Sequence, residues 1–155
     1  MPENLFPAPS IMIDADACPV REEVFKVAKR HGKAILVVSN SFLRIPTHSL
    51  IKQVVVSDKF DAADDYIAEN ANAKTIVITA DILLAERCLK AKAIVLNSNG
   101  KFFTADNIGS IVATRAIMND LRAGIGSENI GGPAAFTPAD RSRFLQSLHD
   151  AIVSL

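Results

Sequence analysis

Short apolar runs recur along this chain, most of them rich in β-branched residues, and each leads into a polar or helically spaced stretch. That alternation constrains the fold more than any other feature. Strands buried on both faces read as continuous apolar runs, and parallel strands need crossovers, usually helices. The runs are Ile11 to Ile13, Ala34 to Val38, Gln53 to Val56, Lys74 to Thr79 and Ala93 to Leu96. Between Val20 and His31, the residues Val20, Val24, Val27 and Ala28 fall at helical spacing. Glu22 and Glu23 favour the start of that helix, and Gly32 ends it. Further helices are expected from Ala62 to Asn70, from Ile82 to Ala91 and from Thr104 to Ala123, with a last one starting at Thr137-Pro138. In the Thr104 helix, Ile108, Ile111, Val112, Ala116 and Met118 to Leu121 supply the apolar positions; Phe144, Leu145, Leu148 and Ile152 do so in the last. The pattern predicts an α/β domain over residues 10–155, with a central, mostly parallel sheet flanked by helices. Residues 1–9, with three prolines, are expected to be a loose lead-in.

In such sheets, sites form beyond the carboxyl ends of the strands, where strand order reverses. Several of the expected strands stop at carboxylates. Ile11-Met12-Ile13 runs into Asp14-Ala15-Asp16-Ala17-Cys18-Pro19, and Asp14 and Asp16 lie two apart, on one side of an ideal strand. Two such carboxylates repel unless a cation or a proton compensates. Capping of the next helix is a competing role, for which Asp16 is the better placed. Asp81 likewise closes the run that ends at Thr79. Asp58, Asp61, Asp64 and Asp65 form the densest acidic cluster, and Asp64 and Asp65, being adjacent, face different directions. Hard divalent cations take oxygen ligands, and Mg²⁺ needs only one or two protein carboxylates. Asp14 or Asp16, one of Asp61, Asp64 and Asp65, and Asp81 therefore make a candidate set for Mg²⁺ or Mn²⁺. Such an ion suits cleavage of a phosphodiester, because it orients a water and neutralises charge developing on phosphate.

Composition excludes other classes. Seventeen basic and seventeen acidic residues cancel, so any nucleic-acid surface must be a local patch. Trp is absent and Tyr66 is the only Tyr, which disfavours a broad stacking platform. Cys18 and Cys88 are the only cysteines, fewer than a disulfide scaffold needs and suited to a reducing cytoplasm. Cys18 reads as a small buried residue or as a reactive thiol at a helix start. No apolar stretch approaches the roughly 20 residues that cross a bilayer. His31, His48 and His149 are isolated, and no zinc spacing, phosphate loop or dinucleotide fingerprint occurs.

Taken together, Asp14-Ala15-Asp16-Ala17-Cys18-Pro19, the segment Ser39 to Pro46, Asp61 to Asp65, Ile78 to Ala85, Asn107-Ile108 and Gly131-Gly132-Pro133 resemble the YaiI/YqxD family of bacterial proteins over nearly the whole chain. That family is grouped with PIN-like domains, so the resemblance implies a three-layer PIN-like fold and a Mg²⁺- or Mn²⁺-dependent ribonuclease. It implies catalytic roles for Asp14, Asp64 and Asp81, and metal contacts from Asp14, Asp16, Asp65 and Asp81. Asn97 or Asp106 stands nearest to the fourth acidic position of PIN nucleases.

Single-stranded RNA is the expected partner, and its phosphates need local cations. Asn40 and Arg44, after the second strand, and Arg115 and Arg122, seven apart on the long helix, are the candidates for substrate contact. Arg141 and Arg143 join them as cations. Surface ion pairs with Asp120, Asp140 or Glu128 would instead occupy these arginines. Two rival functions fit the same residues. One is a non-catalytic RNA- or protein-binding module. The other is a phosphatase of haloacid-dehalogenase type, in which Asp14-Ala15-Asp16 supplies nucleophile and acid, and Thr79 the hydroxyl.

Overall fold

The computed structural model describes residues 8–15, 20–59, 61–125 and 136–155. In chain order the elements are β1 (Ile11–Asp14), α1 (Arg21–His31), β2 (Ile35–Ser39), β3 (Ile51–Val55), α2 (Ala62–Asn70), β4 (Ile76–Ile78), α3 (Ile82–Lys90), β5 (Ile94–Leu96), β6 (Phe102–Phe103), α4 (Ala105–Ile125) and α5 (Pro138–Ser154). They form one six-stranded sheet in the order β3-β2-β1-β4-β5-β6. The pairs from β3 to β5 are parallel, and β6 alone is antiparallel, with Val95 opposite Phe103.

Three layers follow from the period-2 alternation of the strands. Ile11, Ile13, Ile35, Val37, Ile76 and Ile78 face α1 and α5, where they meet Val24, Phe25, Phe144 and Leu148. Met12, Leu36, Val38, Val77 and Val95 face α2, α3 and α4, where they meet Ile67, Leu84, Cys88 and Ile108. Burial pushes the Cys88 thiol up to about 11, so this cysteine is an inert core residue. Gly32 closes α1 in the left-handed conformation, and its N–H reaches the Ala28 and Lys29 carbonyls. Thr137 and Asp140 close a reciprocal capping box on α5, with Pro138 in the first turn.

Two local expectations are corrected, and one strand is added to those expected. β3 begins at Ile51 rather than Gln53, because the edge strand pairs Ile51 with Ile35 and Lys52 with Leu36. Phe102–Phe103 is a strand that two residues are too few to announce. Among the described side chains, α4 packs inward through Ile108, Ile111 and Val112. Ala116 is exposed, as are Ile117 (59 %) and Leu121 (45 %), so Ala116 and Leu121 are not the inward apolar positions expected of them. Most of the glycine-rich Gly124 to Pro133 stretch, along with Asp16, Cys18 and the first seven residues, lies outside the described residues. Among the described residues no helix is long and apolar enough to cross a membrane.

Candidate functional site

The chain runs outward from β1 through β2 to β3, then returns to place β4 on the other side of β1. The strand order therefore reverses between β1 and β4, the place where open parallel sheets build sites. Both strands deliver polar groups there. Asp14 ends β1 on the face it shares with Met12, towards α2 and α3, and is only 5 % exposed. Ile13 pairs with Ile78, so Thr79 leaves β4 level with Asp14. The Thr79 hydroxyl donates to Asp14 Oδ2 at 2.8 Å and accepts from the Asp81 N–H at 2.9 Å. A single buried hydroxyl thus ties the two strand-end acids into one unit. Sequence reasoning overlooked this role of Thr79, since its bonds depend on β1 and β4 lying side by side.

Asp81 begins α3. Its Oδ1 accepts from Leu83 N at 2.9 Å and Leu84 N at 3.1 Å, which satisfies two of the unpartnered donors of the helix start. The cap of this part of the fold is therefore Asp81, whereas Asp16, the residue expected to cap, lies outside the described residues.

Asp64 arrives from α2. Its pKa is raised to about 6, first by burial, then by the charges of Asp81, Asp14 and Asp61, with Arg87 opposing. Three acids from three separate elements therefore share one field. Asp65 turns the other way. It is exposed and pairs with Arg87 at 2.8 Å. Asp61 sits at φ +68, a left-handed conformation that Asp tolerates better than most residues, and makes no side-chain cap.

The expected substrate contacts are scattered. Asn40 and Arg44 are exposed on the β2–β3 connection. Arg44 borders a shallow groove with Phe42, Ile45 and His48, while the Gln53 amide holds both backbone groups of Leu43 (2.8 and 3.1 Å). Arg115 is exposed on α4; the side chain of Arg122 lies outside the described residues. Arg143 pairs with Asp140 at 3.1 Å, as expected, but Arg141 pairs with Glu23 of α1 at 2.8 Å. Those two cations are engaged in holding α5.

The donors at the strand reversal are all oxygens, which suits Mg²⁺ or Mn²⁺ and not zinc or copper. Among the described residues no three acidic, His or Cys side chains stand close enough together to form a ready metal cage. A hydrated ion held by one or two carboxylates needs no such cage, so Asp14 and Asp81 fit that mode of binding.

Comparison with known proteins places the chain. Residues 12–154 match the family described as "Uncharacterized BCR, YaiI/YqxD family". A UPF0178 protein of Sphingopyxis alaskensis is 65 % identical over 146 residues, covering 94 % of each chain. A UPF0178 protein of Jannaschia sp. is 54 % identical, covering 92 % of this chain and 91 % of its own length. One from Rhodopseudomonas palustris is 51 % identical, covering 92 % and 85 %. No solved structure matches. With nearly its whole length aligned to these relatives, the chain belongs to the YaiI/YqxD family.

Proposed function

We propose that this protein hydrolyses phosphodiester bonds of single-stranded RNA with the help of Mg²⁺ or Mn²⁺. The observation that carries the reading is that Asp64, at the strand reversal, is raised to about 6 by burial first and then by the charges of Asp81 and Asp14. Acids crowded this way cost stability, and a cation offsets that cost. The resemblance to PIN-like nucleases points the same way, since an acid after the first strand, one in a central helix and one after a later strand recur here.

Asp14 and Asp81 would hold the ion, which supplies charge neutralisation on the phosphate and a water of lowered pKa. Thr79 fixes Asp14 in place, and the α3 cap fixes Asp81, so neither must reorganise as charge develops. Asp64, able to accept a proton near neutral pH, takes one from the attacking water. Asn40, Arg44 and Arg115 lie exposed for phosphate contact, and among the described residues neither arginine is in an ion pair. The phosphatase alternative is weaker, because the single Thr79 hydroxyl proton is given to Asp14 and cannot also grip phosphate.

A fluorescent single-stranded RNA tests this. Cleavage should require Mg²⁺ or Mn²⁺, stop with chelator and fall at least about a hundredfold in Asp14→Asn. Cleavage that survives either treatment would overturn the reading. RNA binding without cleavage, unaffected by Asp14→Asn, would favour a binding module instead.

A further inference from the structure

The fold brings together two histidines that the sequence leaves isolated. His31 is the last residue of α1, and His149 lies on α5. His31 Nε2 and His149 Nδ1 stand 3.1 Å apart across 118 positions of sequence. Arg141 and Glu23 make their 2.8 Å pair across the same two helices, at the same sequence offset. α1 and α5 therefore run side by side in register, fastened at one level by charge and about two turns further on by the imidazoles. Buried neighbours seat both rings: Ala28, one turn before His31, and Leu148, beside His149, are fully buried. The rings themselves are open to solvent, His31 being half-buried and His149 exposed.

Two neutral imidazoles in one hydrogen bond share a single proton. The outer nitrogens, His31 Nδ1 and His149 Nε2, make no hydrogen bond among the described residues. Each can therefore carry its ring's proton into water, which leaves both inner nitrogens with a lone pair to give. The ring centroids are 5.0 Å apart, closer than two rings aimed straight along a 3.1 Å N···N line would stand. The lone pairs are thus bent off that line, as an ion to one side requires and the best hydrogen bond does not. Zinc–nitrogen bonds of about 2.0–2.1 Å, at angles of about 90–110°, hold two nitrogens about 2.8–3.4 Å apart. The observed separation falls inside that span. A cation there also meets the negative end of the α1 dipole, which His31 terminates.

We propose that His31 and His149 form a two-imidazole site for a borderline divalent transition ion of the Zn²⁺ or Ni²⁺ kind, which clasps α1 to α5. The ion replaces the shared hydrogen bond. Among the described residues no third acidic, His or Cys side chain joins the pair, so waters complete its coordination. The acids at the strand reversal offer oxygen alone and this pair offers nitrogen alone, so the two places favour different ions. The site stands whether or not RNA is cleaved.

Titration of the untagged, isotope-labelled full chain with Zn²⁺, followed by nuclear magnetic resonance of the ring nitrogens, tests this. His31 and His149 should move together, and His48, whose Nδ1 accepts from Leu50 N, should stay. Mg²⁺ at the same concentration should move none of them. Zn²⁺ at about ten times its dissociation constant should raise the melting temperature by roughly 3–6 °C. His149→Gln and His31→Gln each remove one ligand from the surface and should weaken Zn²⁺ binding at least about tenfold. Asp14→Asn should keep the Zn²⁺ response. Movement of one ring alone, or no movement at millimolar Zn²⁺, would overturn the site. So would Zn²⁺ binding that is unchanged in both histidine variants and lost in Asp14→Asn.

Discussion

At the start of α5, Thr137 Oγ1 accepts from Asp140 N at 3.1 Å, and Asp140 Oδ2 accepts from Thr137 N at 3.0 Å. Arg143 adds a 3.1 Å pair to Asp140. Those bonds, the backbone one first, hold the Asp140 carboxyl below its ordinary range. At the start of α3, Asp81 also accepts two backbone N–H bonds, but its charged neighbours are Asp14 and Asp64. The adjacent cation, Arg87, is paired with Asp65. The two starts use the same cap chemistry and differ in counter-charge. An acid whose surroundings complete it serves the helix alone. An acid at a strand reversal, crowded by two others, asks for something the chain does not provide.

The α5 region should therefore fail by losing stability. The largest effect is expected from Gly100→Ala, in the turn that meets α5. Gly100 has φ +88, and a Cβ there would stand 2.5 Å from the Arg143 backbone carbon and 2.6 Å from the Phe144 nitrogen. Backbone cannot move aside as a flexible side chain can. Arg143 Nη1 also donates to the Asn99 carbonyl and Ser147 Oγ to that of Gly100, so the turn and helix are fastened. The expected loss is about 2 kcal/mol or more, seen as a fall in melting temperature of roughly 4–8 °C. A fall under about 2 °C would mean that α5 is not fixed as described. Thr137→Ala should cost about 1 kcal/mol, read in the same melting experiment.

Much of this contrast was legible from local sequence. Thr137-Pro138 announces a cap, Gly32 announces a stop, and the Ala62–Asn70 limits of α2 follow from neighbouring residues alone. The apolar runs gave the strands, because burial on both faces leaves little room for polar residues. Asp14 and Asp81 stood out because each ends such a run. The choice between Asp64 and Asp65 was not legible, since it depends on how α2 is rotated over the sheet. The Thr79 bridge joins residues 65 apart and needs β1 against β4. Ala116 and Leu121 read as inward apolar positions because spacing reports a face and not whether anything covers it.

The α3 region should respond to pH instead. Asp64 binds its proton more tightly in the folded chain, with a pKa of about 6 against an ordinary 3.8. Between these values the folded state holds more protons than the unfolded one, so stability falls as pH rises from about 4 to 6. Above that window the penalty is complete. Asp64→Asn removes it, and the variant should be more stable than the parent at pH 7 but equal to it near pH 4. Solvent screens a partly exposed carboxyl, so the gain is about 1 kcal/mol at most. Mg²⁺ should shrink the gain by stabilising the parent. Melting curves across pH that run parallel for the two proteins would remove Asp64 from the shared field.

The smallest effect on stability is expected from Asp81→Asn, and it sharpens the contrast most. Asn caps a helix about as well as Asp, since its amide oxygen can accept from Leu83 N and Leu84 N in the same way. The Asp81 backbone N–H keeps its bond to Thr79. What disappears is charge. Loss of a negative group at the helix start costs a few tenths of a kcal/mol, and relief of repulsion with Asp14 and Asp64 offsets it. Folding stability should stay within about 0.5 kcal/mol of the parent. The Asp64 pKa should fall, because Asp81 is the largest of its charged neighbours, yet stay above 3.8, because burial is the larger cause and is untouched. Resonance titration of the Asp64 carboxyl carbon reads this directly. An unmoved Asp64 would show that Asp81 does not share its field, and the two helix starts would then differ only in which bonds complete them.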